Sequence, residues 1–179
     1  MRVFFGFLVL MAAAFPAWCG EFSLTSPDIA DGQALGQEQV LQGFGCSGGN
    51  VSPALRWNNA PTGTKSFAVT VYDPDAPTGS GWWHWVVFNI PASVAELMTD
   101  AGSGHALPAG AVQSRTDFGT SGYGGACPPP GAPHRYMFTV HALDVERIDL
   151  TPDSPAAMVG FHLGQHTLGT ASITAVYGR

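Results

Sequence analysis

The chain has 179 residues, enough for one domain with a real core and too short for two comfortable ones. Lys and Arg number 7 against 13 Asp and Glu, and the net charge of −6 comes without any basic cluster, which argues against a nucleic-acid backbone or an anionic membrane surface as partner. The 23 glycines and 14 prolines predict long loops, while 45% hydrophobic residues exclude a disordered chain.

The first stretch, MRVFFGFLVLMAAAFPAWCG, starts positive at Arg2, runs apolar from Val3 to Phe15 and ends on small residues. This is the pattern of a secretory signal peptide, expected to cover residues 1–19, with 20–179 as a single domain. The apolar run is too short for a stable membrane span. Cleavage after Cys19 places Ala17 and Cys19 at the two small-residue positions, and cleavage after Ala14 is a weaker option. Cys19 also raises a lipoprotein, against which bulky Trp18 argues. Export to the periplasm or beyond leaves Cys46 and Cys127 as an even pair in an oxidising compartment, where a disulfide is expected. It would close a loop of about 80 residues, worth on the order of 4 kcal/mol in the chain-entropy model. Two buried free thiols are the alternative that a cytosolic chain would favour.

EFSLTSPDIADGQAL predicts a short first strand and a hairpin-like turn at Asp31-Gly32. FGCSGGNVSPALRW reads as a glycine-rich loop leading into a strand from Ala54 to Trp57. KSFAVTVYD alternates, with Phe67, Val69 and Val71 on one side and Ala68, Thr70 and Tyr72 on the other. HWVVFNIP is apolar on both faces and predicts a central strand. ASVAELM predicts one short turn of helix. HRYMFTVHALD is a third long strand with β-branched and aromatic content. In TPDSPAAMVGFHLGQHTLG, Ser154 predicts an N-cap, Pro155 the first helical position and Gly169 a stop. ASITAVYGR reads as the last strand. The stretches Asp100 to Ala109 and Asp117 to Pro133 are long loops, which in a domain of this size are functional or tied down. The predicted class is mainly β, with one late helix packed on a sheet.

Two stretches carry chemistry. In YDPDAPTGSGWWHWVVFNIP, Asp73 ends one strand and His84 opens the next, and adjacent strands would bring the two ends together as an Asp–His pair able to fix a tautomer. Asp75 is equally well explained as a turn residue bonded to backbone N–H groups. In FGTSGYGGACPPPGAPHRYMF, Gly119, Gly122, Gly124 and Gly125 permit backbone that could aim N–H groups inward as an anion nest, and Pro128 to Pro130 stiffen the wall. Alternation then sends His134 and Tyr136 to one face and Arg135 to the other. Taken alone, that second stretch also fits an ordinary loop with an edge strand. His162 and His166 have metal-ligand spacing without a third ligand or an HExxH, so a solvated helix face is expected and no metal site. GTSGY is not a GxSxG nucleophile elbow, and neither a P-loop nor a dinucleotide-binding glycine pattern occurs.

Taken in order, YDPDAP, WWHWVVFNIP and GYGGACPPPGAPHRYMFTVHALD resemble the phosphatidylethanolamine-binding protein family, and most of all its bacterial Raf kinase inhibitor-like branch. The early N-x-SP-x-L-x-W stretch after the glycine-rich loop is similar to that branch too, so the resemblance covers about residues 22 to 177. It implies an antiparallel β-sandwich-like fold with a short C-terminal helix and a small anion pocket. The implied ligand-binding residues are Asp73, Asp75, His84, Tyr123, Gly125, Pro128, His134 and Tyr136. Gly125-Ala126-Cys127 departs from the Gly-Pro common in relatives, and the expected Cys127 disulfide could supply the stiffness that proline would. The expected function is an exported binding protein for phosphate or phosphoethanolamine-like head groups, modulating a protein partner, without cofactor or catalytic residue. Asp73 or Asp75 would pair with the head group's ammonium or hold a histidine tautomer. A homodimer is a further expectation. Kinase inhibition in the animal branch depends on cytosolic partners and transfers as a label only. The competing readings are a hydrolase using the Asp–His pair and a secreted protein acting on a host through its surface.

Overall fold

The computed structural model describes residues 20–179, and the predicted leader with Cys19 lies outside the described residues. In chain order the strands are β1 (Ser23–Thr25), β2 (Gln42–Gly43), β3 (Cys46–Ser47), β4 (Leu55–Asn58), β5 (Ser66–Asp73), β6 (Trp82–Pro91), β7 (Glu96–Leu97), β8 (Val112–Gln113), β9 (His134–Leu143) and β10 (Thr167–Tyr177). The helix α1 (Ala156–His166) runs directly into β10. A five-stranded sheet has the order β10-β9-β5-β6-β8, a three-stranded sheet the order β1-β4-β7, and β2 pairs with β3 alone. All strand pairs are antiparallel.

The period-2 pattern of β5 explains the layering. Phe67, Val69 and Val71 face the core shared with Leu24, Leu55 and Trp57 of the small sheet. Ala68, on the opposite face, joins Val86, Phe88 and Leu143 under Ala156, Val159 and Leu163 of α1. The large sheet is therefore covered on both sides, which is why β6 carries apolar residues on both faces. Each fully buried Val, Leu or Phe contributes about 1.5–3 kcal/mol of transfer free energy to holding these layers together.

Four local expectations change. ASVAELM is a turn followed by β7, not helix. Seven residues are too few to offset helix nucleation, and Leu97 instead pairs with Leu55 and is buried. The Asp31-Gly32 turn closes no hairpin. Gly32 N–H donates to Thr174 O and Leu35 N–H to Val176 O, so this segment runs beside β10, while β1 pairs with β4. At α1, Pro155 occupies the cap position and Ser154 Oγ accepts from Thr151 N–H instead. Gly169 lies within β10, where the β9–β10 register shifts, and the helix ends earlier with Thr167 Oγ1 donating to Leu163 O.

Candidate functional site

Three strand ends meet at one edge of the large sheet. β5 leaves at Asp73, β6 enters opposite it at Trp82, and β9 begins at His134. A cavity of about 210 Å³ opens there, with Asp73, His84, His134 and Tyr136 on its floor and Phe44, Trp82, Phe118, Pro128 and Pro129 around it.

His84 reaches the cavity because of a β-bulge. Val71 pairs with Trp85 and Tyr72 with Trp83, which leaves His84 as an extra residue in β6. Strict alternation would send His84 and Trp85 to opposite faces. The bulge lets Trp85 enter the main core while His84 packs edge-on against Phe118 (5.4 Å) and Tyr136 (5.1 Å). Its Nδ1–H donates to Gly124 O at 2.7 Å, and Gly124 N–H returns a bond to His84 O. Because a carbonyl only accepts, the tautomer is set. Burial in this apolar surround lowers the His84 pKa, so the ring is neutral.

The Asp–His pair exists, but with a different histidine from the one expected. Asp73 Oδ2 accepts from His134 Nδ1–H at 2.7 Å, and Oδ1 accepts from Asp75 N–H at 2.8 Å. Both oxygens of a carboxylate only 3% exposed thus already accept one hydrogen bond each. Asp75 is outside the cavity lining. Its carboxylate clamps Arg135 through Nε (2.9 Å), Nη2 (2.7 Å) and the backbone N–H (2.9 Å). Those bonds hold its pKa down to about 2.

The glycine-rich segment is a wall, not an anion nest. Tyr123, Gly124, Gly125 and Ala126 N–H groups donate to Gly102 O, His84 O, Asn50 Oδ1 and Gln39 O respectively, so none of them faces a ligand. Tyr123 is buried behind this wall, with its hydroxyl donating to Gln39 O and desolvation pushing its pKa up. Gly125 also stands behind it, against the Val40–Leu41 backbone. Cys46 and Cys127 are bonded, with Cα atoms 6.0 Å apart, and tie this wall to β3. Arg179 braces the same region by donating to Pro128 O (2.6 Å), Gly45 O and Phe44 O (3.3 Å each).

Of the eight predicted ligand residues, Asp73, His84, Pro128, His134 and Tyr136 line the cavity, while Asp75, Tyr123 and Gly125 hold it from outside. Phe44 and Phe118, which stack at 5.9 Å, are lining residues that pattern reading missed. Each is a lone aromatic in a glycine-rich loop, a signal without periodicity. Among the described residues four buried side-chain polar atoms have no partner, Trp57 Nε1, Trp82 Nε1, Ser114 Oγ and Tyr136 Oη, and two of them, on Trp82 and Tyr136, belong to side chains that line the cavity. The Tyr136 pKa is pushed up by burial and by Asp73, so its hydroxyl keeps its proton.

His166, one of the two helix histidines, faces Asp144 at 3.0 Å, and among the described residues no helix is long and apolar enough to cross a membrane.

Residues 25–178 match the family model described as phosphatidylethanolamine-binding protein. The chain is 55% identical over 172 residues to UPF0098 protein YbcL of Escherichia coli, covering 94% of each chain. It is 57% identical over 155 residues to UPF0098 protein YbhB of the same organism, covering 86% of this chain and 98% of that one. The crystal structure of Escherichia coli YbcL, described as a new member of the mammalian family, superposes with a TM-score of 0.88 at 56% identity, covering 89% of this chain and 99% of the other. A Chlamydia trachomatis homologue, CT736, gives 0.74 at 30% identity over 88% and 97% of the two chains. With the strand order and the cavity in place, the resemblance read from the motifs becomes membership: this chain belongs to the phosphatidylethanolamine-binding protein family, among its bacterial UPF0098 members.

Proposed function

We propose that this protein is an exported binding protein whose cavity takes small anions of the phosphate or phosphoethanolamine type, and that the bound state modulates a partner. The observation that carries this reading is the pair of unpartnered donors, Trp82 Nε1 and Tyr136 Oη, on the wall of an open cavity. A buried donor without an acceptor costs about 1–3 kcal/mol, and an acceptor brought by a bound anion would remove that cost. With Asp73 and Asp75 already engaged, a head-group ammonium would sit toward the mouth, against the Phe44 and Phe118 rings. Export to the periplasm or beyond rests on the leader pattern and on the Cys46–Cys127 pair.

NMR titration with phosphate, acetate and phosphoethanolamine tests it. Shifts are expected at the Trp82 indole N–H and at the His84 and His134 rings, and silence at all three at millimolar ligand would sink it. The Asp73–His134 pair also has the form of a general-base pair, so the same preparation is screened for phosphoester and ester turnover. Turnover lost in His134→Ala would replace binding by catalysis as the function.

A further inference from the structure

The floor of the cavity, as it stands, is built to accept hydrogen bonds more than to give them. Nδ1–H of His84 is spent on Gly124 O and Nδ1–H of His134 on Asp73. In each neutral ring the remaining nitrogen, Nε2, is therefore an acceptor. The wall N–H groups from Tyr123 to Ala126 are consumed by the backbone and by Asn50. The charges around the site do not favour an anion either. Asp73 and Asp75 follow from β5, and Asp117 stands close enough to act on His84. Against these three carboxylates are two guanidiniums, Arg135 locked on Asp75 and Arg179 on the Pro128, Phe44 and Gly45 carbonyls. Tyr136 on the floor and Tyr123 behind the wall keep their protons through burial and bring no charge. Trp82 and Tyr136 would offer an anion two neutral donors.

We propose that the cavity binds an anion together with one proton, which is taken up on Nε2 of His134 and turns that ring into a charged donor held in place by Asp73. This rests on the anion-pocket reading above and adds how the site reaches charge balance. His134 is the ring suited to it. Its Nδ1–H lies 2.7 Å from a carboxylate, and its side chain is 12% exposed, so a proton can arrive from solvent. His84 is enclosed by Phe118, Tyr136 and Gly124, and burial disfavours its charged form. The step is a simple uptake. An N–H bond forms at Nε2, the proton comes from solvent or buffer, and no other bond changes. The consequence is selection for anions under mildly acidic conditions, with release as pH rises.

Calorimetry of the purified protein with sulfate, which stays dianionic over the working range, decides it. Titrations at a series of pH values in two buffers of different ionisation enthalpy should report proton uptake with sulfate, rising to close to one proton per sulfate and accompanied there by an affinity that weakens about tenfold per pH unit. His134→Gln, which can still donate to Asp73 but cannot take a proton, should bind weakly and without pH dependence. Should that variant not fold, the His134 ring proton shifts of the unmodified protein, followed by NMR with and without sulfate, report the same protonation. Sulfate binding with no proton uptake and a flat pH profile overturns the inference and leaves the pocket reading standing. Full pH dependence retained in His134→Gln overturns the assignment to His134. No sulfate binding at either about pH 5.5 or about pH 8.5 overturns both.

Discussion

Tyr136 places a phenol on the cavity floor at 1% exposure with no hydrogen-bond partner. Removing the hydroxyl separates a structural role from a binding one. Tyr136→Phe should leave stability unchanged or raise it by up to about 1 kcal/mol, since an unsatisfied buried group is lost, while anion affinity falls about tenfold. Thermal unfolding and ligand titration on the same variant check this, and equal affinity in the variant would mean that the phenol only fills space. Asp73 works differently at the same scale. Its value lies in fixing the His134 tautomer, through one oxygen, while the other holds the Asp75 backbone N–H. The sequence placed Asp73 and His84 at facing strand ends but could not show which histidine Asp73 would touch. The bulge at His84 turns that ring toward Gly124, and Tyr177 pairs with His134 to hold β9 in register beside them.

At the scale of elements, the cavity wall is a segment without regular structure held by two fastenings. One is the Cys46–Cys127 bond, whose loop of 81 residues is worth on the order of 4 kcal/mol in the chain-entropy model. Cys46→Ser should lower the unfolding free energy by an amount of this order and should weaken anion binding, because Cys127 lines the cavity. Unchanged affinity in a folded variant would reduce the bond to a staple. The other fastening is the close approach of Gly125 to a neighbouring backbone, where an added Cβ would lie 2.5 Å from Leu41 N and from Val40 C. Backbone cannot step aside as a flexible side chain can, so Gly125→Ala should cost about 1–3 kcal/mol by denaturant unfolding and displace the wall. The glycines in this loop were legible as a need for unusual backbone. That the N–H groups from Tyr123 to Ala126 would be used up on Gly102, His84, Asn50 and Gln39 was not legible, because those partners lie up to 87 residues away in the chain.

For the whole molecule, the two-sided burial of the large sheet has a consequence in acid. His141 lies on the α1 side of the sheet beside Thr70, 3.1 Å away, and burial lowers its pKa to about 4. The His84 pKa is lowered from the main-core side for the same reason. An unfolded chain binds protons on these rings below its ordinary histidine pKa of about 6.5, while the folded chain resists doing so. Stability should therefore fall as pH drops from about 6.5 towards about 4, with His141 alone accounting for on the order of 2 kcal/mol, less for the part of the ring that stays wet. Urea unfolding across this range measures it. His141→Gln should flatten the slope, and an unchanged slope would remove His141 as a cause. Asp75 acts lower on the scale. Its contribution is present above the ordinary carboxylate pKa and disappears as pH falls from about 4 to about 2.

What the sequence determined by itself was everything carried by short-range pattern. The period-2 runs of β5 and β9 and the doubly apolar run of β6 set the long strands and their faces, and the DPDAP and HRY stretches marked the family. Tertiary structure alone decided what depends on contacts between distant segments. It paired Asp73 with His134, drew Asp75 out of the cavity onto Arg135, made a strand of ASVAELM, and brought Phe44 and Phe118 together over the mouth. The division has a plain physical cause. Burial of a face follows from a repeat that each segment carries, whereas a hydrogen bond goes to the best partner available in space, and that partner is known only once the sheets have closed.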